Sequence, residues 1–301
     1  MKIAITNVHL DLGAGRRGTD MGPSAIHVAQ LVPNLKRLGH SVEHIHSLGS
    51  KPHEASTLIE SNARFLPEIL SICSKLKSQV RSDMDNGYFP LVLGGDHSQA
   101  IGTISGIAGK FKEENKKLGV LWVDAHTDMN TPGTSPSGNI HGMPLATMLG
   151  YGHPALVALN DGTPSVLPEN LAIIGARDID LTEVPLVKEL GVRVYTMSEI
   201  DRRGAAICFA EAIAHVSKNT DGLHLSFDLD GVDPSEAPGV GTPVPGGLSL
   251  RESHLICEMV CETGRLVGME MVELNPILDI SNQTGKLAVW LIQSALGKTI
   301  L

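Results

Sequence analysis

Short aliphatic runs alternate with helix-length segments along nearly the whole chain, and that alternation leaves few folds open. Strand character is concentrated in KIAITNVH (2–9), SVEHIHSL (41–48), YFPLVLGG (88–95), LGVLWVDA (118–125), LAIIGA (171–176), VRVYTM (192–197), GLHLSFDLD (222–230) and LVGMEMVEL (266–274). Helix-period stretches over 54–83, 98–112, 198–217, 249–262 and 283–297 lie between most of them. Ser198 with Asp201 downstream, and Gly264 after the 249–262 stretch, supply start and stop signals. Continuous apolar strands interleaved with helices predict the α/β class, with a mostly parallel sheet covered on both faces. Eight strands can also close into a barrel. The uneven spacings and the Gly-, Pro-, Ser- and Thr-rich region at 128–165 favour an open sheet, since loops that long are usually functional. No repeat, low-complexity tract or linker divides the chain, so residues 1–301 are expected to fold as one domain.

Charge narrows what such a domain does. The formal net charge of −9 argues against binding a phosphate backbone, which needs clustered Lys and Arg, and is compatible with a cationic small substrate. With 42% hydrophobic and 19% charged residues the chain reads as soluble, and with only 3% aromatics its core must be aliphatic. No apolar run approaches the ~18 residues of a membrane span. The N-terminal MKIAITNVHLDLG has too short an apolar stretch for a signal peptide. Cys73, Cys208, Cys257 and Cys261 fit neither a disulfide framework nor a CxxC zinc spacing; they read as reduced packing residues, with Cys257 and Cys261 on one helix face. A cytoplasmic protein without nucleic-acid or membrane partners is the expectation.

Three of the apolar runs end in the same kind of chemistry. LWVDAHTDMN puts Asp124, His126 and Asp128 on alternate positions after Val123, all on one side if the strand continues to its end. In LSFDLDGVDP, Ser226, Asp228 and Asp230 alternate with Leu225, Phe227 and Leu229; in FPLVLGGDHS a glycine pair precedes Asp96 and His97. The C-terminal ends of parallel strands are where α/β sheets bind ligands. Packed together, the carboxylates of Asp124, Asp128, Asp228 and Asp230 would repel and raise one another's pKa. Two divalent cations cancel that charge, with His97 and His126 as neutral ligands, at the ~3.5 Å separation of a bridged metal pair. With no thiolate and with oxygen outnumbering nitrogen, the set favours Mn²⁺, then Fe²⁺ or Co²⁺, over structural Zn²⁺. Taken singly, each motif also fits loop caps and turns. Their recurrence at three strand ends sets that reading aside.

On these motifs the chain resembles the arginases of the manganese-dependent ureohydrolase family. The matching stretches are GGDHS (94–98), DAHTDMN (124–130), SGNIHGMP (137–144), SFDLDGVDP (226–234), GTPVPGG (241–247) and ELNP (273–276), in family order over nearly the whole chain. The resemblance implies a three-layer α/β/α fold around a central eight-stranded sheet, two Mn²⁺ per chain, and a homotrimer or homohexamer. It implies hydrolysis of L-arginine to L-ornithine and urea by a hydroxide bridging the two ions. It gives one metal to His97, Asp124, Asp128 and Asp228 and the other to Asp124, His126, Asp228 and Asp230, with Asp124 and Asp228 bridging. Asp128 would also hold the hydroxide, Asp128 or His141 would pass a proton to the leaving amine, and Glu273 would pair with the guanidinium. Asn130 and Ser137, with Ser135 nearby, would receive the substrate α-carboxylate and Asp180 its α-amino group; Asn139 and Glu183 would assist through water. Two positions depart from the family pattern: His27 closes the GRRGTDMGPSAIH segment where Arg is usual, and Ser135 stands where Thr is expected.

The residue types suit that chemistry. A guanidinium carbon is a poor electrophile, so its hydrolysis needs an activated water, which two metals supply by lowering the water pKa from ~15.7 towards neutrality. Glu273 closes the apolar run MEMVEL, where a buried acid without a partner would be costly. Thr242 is expected at the pocket wall and Asp233, before Pro234, as a turn acid; for Asp180 a helix-capping role competes with the substrate role. His44 and His46 form an HxH pair with no acid at suitable spacing and read as an exposed strand face, while His224 reads as a hydrogen-bonded core residue. The glycine spacings around 102–109 carry no phosphate fingerprint. An amidinohydrolase acting on agmatine or guanidinobutyrate is the nearest alternative, separated by Asn130, Ser137 and Asp180. A one-zinc deacetylase on a related fold, and a non-catalytic binding protein that keeps the fold, are the others.

Overall fold

The computed structural model describes residues 1–56 and 60–299. Among these, eight strands pair into one sheet: β1 (Lys2–His9), β2 (Ser41–Gly49), β3 (Phe89–Leu93), β4 (Leu118–Val123), β5 (Leu171–Ala176), β6 (Arg193–Thr196), β7 (Gly222–Asp228) and β8 (Leu266–Val272). Their spatial order is β2-β1-β3-β8-β7-β4-β5-β6, and every neighbouring pair is parallel. The sheet is therefore open and wholly parallel.

Parallel neighbours need crossover connections. Helices run through these as α1 (Gly22–Val28), α2 (Leu31–Arg37), α3 (Leu66–Asp85), α4 (Ala100–Glu113), α5 (Pro144–Met148) and α6 (Pro154–Val157). The second half of the chain adds α7 (Val184–Leu190), α8 (Met197–Arg203), α9 (Ala205–Ser217), α10 (Leu250–Glu262) and α11 (Gln283–Ala295). Strand parity sorts the core into two halves. Leu223, Leu225 and Phe227 of β7 and Met269 of β8 join Phe209 of α9, Ile256 of α10 and Leu291 of α11 on one face. Val120 and Trp122 of β4 join Ile69 and Leu76 of α3 and Ile104 of α4 on the other. Helices thus cover both faces, in three layers, and each fully buried Leu or Ile contributes ~1.5–3 kcal/mol.

Two helix boundaries differ from expectation. The 54–83 stretch becomes helical only at Leu66: Phe65 adopts φ 54 and Pro67 occupies the first turn, so the helix cannot extend backwards. Residues 53–55 form a separate 3₁₀ turn, and 57–59 lie outside the described residues. The 198–217 stretch is cut at Gly204, whose φ of 90 breaks it into α8 and α9. The glycines near 102–109 serve packing. A Cβ on Gly102 would lie 2.6 Å from the Cys73 carbonyl oxygen, and one on Gly106 would lie 2.8 Å from that of Lys77, so they bring α4 against α3.

Candidate metal centre

β3, β8, β7 and β4 are consecutive in the middle of the sheet, so whatever follows their C-terminal ends arrives at one place. After β3 the chain turns through Gly94 and Gly95, where a Cβ on Gly95 would sit 2.5 Å from the Leu10 carbonyl oxygen. Asp96 then caps a 3₁₀ turn: its carboxylate accepts from the Ser98 N–H at 3.0 Å, the Ser98 hydroxyl and the Gly13 N–H at 2.8 Å. That consumes Asp96 in holding the turn and leaves His97 facing the site. The donors after β4 do not continue as a strand. β4 ends at Val123, and the Asp124 Oδ1 accepts the His126 N–H at 2.7 Å, which bends the segment back on itself. Asp128 completes the bend in the left-handed region, at φ 48, a strained conformation that persists where surroundings enforce it. After β7, Asp230 lies in a 3₁₀ turn whose N–H donates to Asp228 Oδ1 at 2.8 Å.

The turns converge all six donors. His97 Nδ1 lies 2.9 Å from Asp228 Oδ2, 3.1 Å from Asp124 Oδ2 and 3.3 Å from Asp128 Oδ2. His126 Nδ1 lies 3.2 Å from Asp230 Oδ2 and 3.3 Å from Asp124 Oδ1. Two triads can each hold a cation, His97–Asp124–Asp228 and Asp124–His126–Asp230, and Asp124 belongs to both. Asp228 offers Oδ2 to the first triad while its Oδ1 accepts the Asp230 N–H. His97 Nδ1 is buried, surrounded by three carboxylate oxygens, and hydrogen-bonded to none of them. A nitrogen in that position is aimed at a shared central point, as a ligand is, and not at a single acceptor.

Charge tells the same story. Burial, and then repulsion from Asp124, pushes the Asp128 carboxyl well above the usual range; burial, and then Asp230 and Asp124, does the same to Asp228. Burial also opposes ionisation of Asp124, but the His126 and His97 contacts outweigh it and hold that carboxyl well below the usual range. Burial works to lower His97 and His126, and the facing carboxylates override it and raise both. The cluster demands positive charge, and two divalent cations match four carboxylates. The residues present fit a metal pair.

Beside the donors lies a cavity of about 200 Å³, whose lining includes Asp128, Asn130, Ser135, Ser137, Asn139, His141, Asp180, Glu183 and Thr242. The Asn130 amide donates to Asp180 Oδ2 at 2.9 Å. Asp180 does not cap α7, whose first residue follows Glu183. Glu183 is spent within the protein: it accepts from the Thr127 hydroxyl, the Met129 N–H at 2.8 Å and the Asp180 N–H at 3.3 Å. Ser135 Oγ accepts the Gly138 N–H at 2.9 Å and Ser137 Oγ the Asn139 N–H at 3.2 Å. Thr242 donates its hydroxyl to Asp230 Oδ2 at 2.8 Å. Glu273 is 1% exposed and has φ 63. Its Oε1 accepts the His97 N–H at 3.0 Å and lies 3.1 Å from His141 Nδ1, while its buried Oε2 has no partner. Burial alone would lower His141, but Glu273 raises it to about 9.

A family model described as Arginase family matches residues 1–297. The chain belongs to the arginase family. The arginase of Brevibacillus brevis is 51% identical over 300 residues, covering 99% of both chains. The solved structure of Bacillus subtilis arginase matches with a TM-score of 0.93 at 48% identity, covering 100% of both chains. That of Entamoeba histolytica arginase, solved in complex with L-ornithine, matches with 0.89 at 32% identity and 99% coverage of both. Arginase-family membership makes the chain a metal-binding hydrolase of the ureohydrolase kind.

Several residues of this arginase-family site escape a motif reading. Trp122 donates its indole N–H to Asp124 Oδ2 at 2.8 Å and stacks on the His97 ring, centroids 3.9 Å apart. His97 Nε2 meets Ser226 Oγ at 2.9 Å, and Ser226 donates to Glu270 Oε1 at 2.8 Å, which His224 also approaches at 3.4 Å. With Nδ1 turned to the donor cluster, this carboxylate–hydroxyl–imidazole chain fixes the His97 proton on Nε2. Arg177 donates to the carbonyls of Gly175, Asp230, Gly231, Val232 and Val244, lacing the Asp230 turn to the loop that carries Thr242. Ser226 and His224 carried a sequence signal in sharing strand parity with Asp228, and Arg177 in being a lone cation amid acids in GARDID. His27, the departure from the family pattern, lies away from the donors and pairs its Nε2 with Asn7 Oδ1 at 2.9 Å.

Proposed function

We propose that the protein hydrolyses L-arginine to L-ornithine and urea, with two Mn²⁺ held by His97, Asp124, His126, Asp128, Asp228 and Asp230. The observation that carries this reading is the convergence of two imidazoles and four carboxylates at the floor of a polar, amino-acid-sized cavity. Oxygen donors outnumber nitrogen and no thiolate is present, which supports Mn²⁺. The chemistry a metal pair supplies there is the ionisation of a water near neutral pH.

The chain's own residues supply the rest. Glu273 keeps Oε1 on the His97 N–H and leaves Oε2 free, a carboxylate acceptor for a guanidinium N–H that pairs with the substrate and orients its carbon. Asp128 accepts and positions the attacking water's proton. His141, 3.1 Å from Glu273 Oε1, supplies the proton that the departing amine needs. At the outer end, Ser135 and Ser137 accept backbone N–H groups, so their hydroxyl protons are free to donate to an α-carboxylate, as is the second N–H of Asn130. Asp180 accepts from the α-ammonium, while Glu183 and Asn139 hold this rim and its waters.

On this reading residues 1–301 form a single catalytic domain of a cytoplasmic enzyme that works as a homotrimer or homohexamer. None of its helices is long and apolar enough to cross a membrane among the described residues. Urea release assayed on L-arginine, agmatine and guanidinobutyrate after Mn²⁺ loading tests the substrate. L-Arginine should exceed both by orders of magnitude, because the analogues leave rim groups unpaired. Agmatine outrunning L-arginine would overturn the choice.

A further inference from the structure

Of the histidines outside the centre, His44 and His46 face α3 from the edge strand β2, three strands removed from β8. The expectation that this pair lacks an acid fails in three dimensions. Asp83 comes across on α3, and its Oδ1 lies 3.2 Å from His46 Nε2. Gln79 Nε2, one turn earlier on α3, lies 3.0 Å from both of those atoms.

With Asp83 ionised, every arrangement of protons leaves one pair of like groups facing each other, and a proton on Asp83 or a bound cation relieves it. If the Gln79 amide donates to both, the His46 lone pair faces a carboxylate. If His46 carries a proton on Nε2, that N–H faces the amide N–H. If the amide is turned over, its oxygen faces the carboxylate. A metal cation between His46 and Asp83 removes the conflict, with Gln79 donating to the carboxylate. Asp83 is 3% exposed and its Oδ2 has no partner, so a desolvated oxygen is also left to be neutralised. The His46–Asp83 spacing falls within the 2.9–3.3 Å found between imidazole and carboxylate at the centre described above. It is also close to the ~3.3 Å between two ligands ~2.0–2.1 Å from a tetrahedral ion. His44 brings a second imidazole on the same face of β2, exposed and stacked on His46 with centroids 5.6 Å apart.

We propose that His44, His46 and Asp83 form a second site for a borderline divalent cation of the Zn²⁺ class, which pins the edge strand to α3 and takes no part in hydrolysis. Two imidazoles and one carboxylate suit Zn²⁺ better than the oxygen-rich centre does. The test is equilibrium dialysis of the Mn²⁺-loaded full chain against Zn²⁺, with both metals counted. The native chain should retain one more Zn²⁺ than His46→Gln at equal Mn²⁺ content, and His44→Gln should weaken that uptake at least tenfold. Asp83→Asn should abolish it; because Asp83 is buried, the two histidine variants decide the matter if that protein does not fold. Zn²⁺ should raise the native melting temperature but not that of His46→Gln, and urea release should be the same in all the folded variants. Equal Zn²⁺ uptake by the native chain and His46→Gln would overturn the proposal, and native-like uptake by His44→Gln would overturn the three-ligand set.

Discussion

Replacing Ser226 by alanine removes one hydroxyl and leaves all six donor side chains in place. That hydroxyl accepts from His97 Nε2 at 2.9 Å and donates to Glu270 Oε1 at 2.8 Å, with all three side chains buried. The variant loses a hydrogen bond to a carboxylate, worth ~1.5–3 kcal/mol, and orphans a buried N–H at a cost of ~1–3 kcal/mol. With partial relaxation, the metal-free protein should lose about 2–4 kcal/mol of unfolding free energy. The imidazole also loses the partner that fixes its tautomer and aim. Removal of such partners typically weakens metal binding ~10–100-fold, or about 1.4–2.7 kcal/mol. Chemical denaturation in chelator measures the first quantity and Mn²⁺ titration calorimetry the second, and Ser226→Thr, which keeps the hydroxyl, should restore most of both. Mn²⁺ affinity within twofold of native in a destabilised Ser226→Ala protein would refute the reasoning, because the chain would then serve only the fold.

Other perturbations test neighbouring links. Arg177→Met should lower stability by about 3 kcal/mol or more, since five carbonyls lose a charged donor. Arg177→Lys should recover little, because an ammonium cannot span them; a native-like melting temperature for the lysine variant would contradict the lacing role. In the metal-free protein, NMR should show His141 titrating near 9. Glu273→Gln removes the main charge that offsets burial, so this imidazole should then titrate lower, and an unmoved titration would break the assigned pair. Asp233 is held at about 2, against burial, by hydrogen bonds from Ser235, Gly247 and Gly246. Its folded pKa lies below its unfolded one, so its stabilisation is full above ~4 and is lost as pH falls through about 2. Because the side chain is only partly buried, the full shift is discounted to ~1 kcal/mol. Asp233→Ala should differ from native by that amount at neutral pH and converge with it near pH 2, as followed by denaturant midpoints.

The eight strands were legible because a strand buried on both faces is continuously apolar, and β5, LAIIGA, is read off with its observed bounds. The candidate donors stood out because acids and histidines directly after such runs have few structural uses. What sequence could not convey is pairing. Ser226 and Glu270 are register partners on β7 and β8, so their contact follows from strand order, which apolar periodicity does not encode. His46 and Asp83 meet because α3 packs across β2, a tertiary contact that periodicity does not encode either. The false start of the helix at 54 has a tertiary cause besides Phe65 and Pro67. The Arg64 N–H donates to the Gly138 carbonyl at 2.9 Å, docking this segment on the loop that carries Ser137 and Asn139, and that contact wins over local helical preference. Asp124–Asp128 shared a side by expectation as a strand and share a site in fact through a bend, because Asp124 captures the His126 N–H.

Low-temperature electron paramagnetic resonance of the Mn²⁺-loaded protein addresses the paired centre most directly. Two ions sharing Asp124 at a separation of ~3.5 Å should give a spin-coupled spectrum, and Asp124→Asn should abolish it. An uncoupled six-line signal at full Mn²⁺ loading of the native chain would contradict the account.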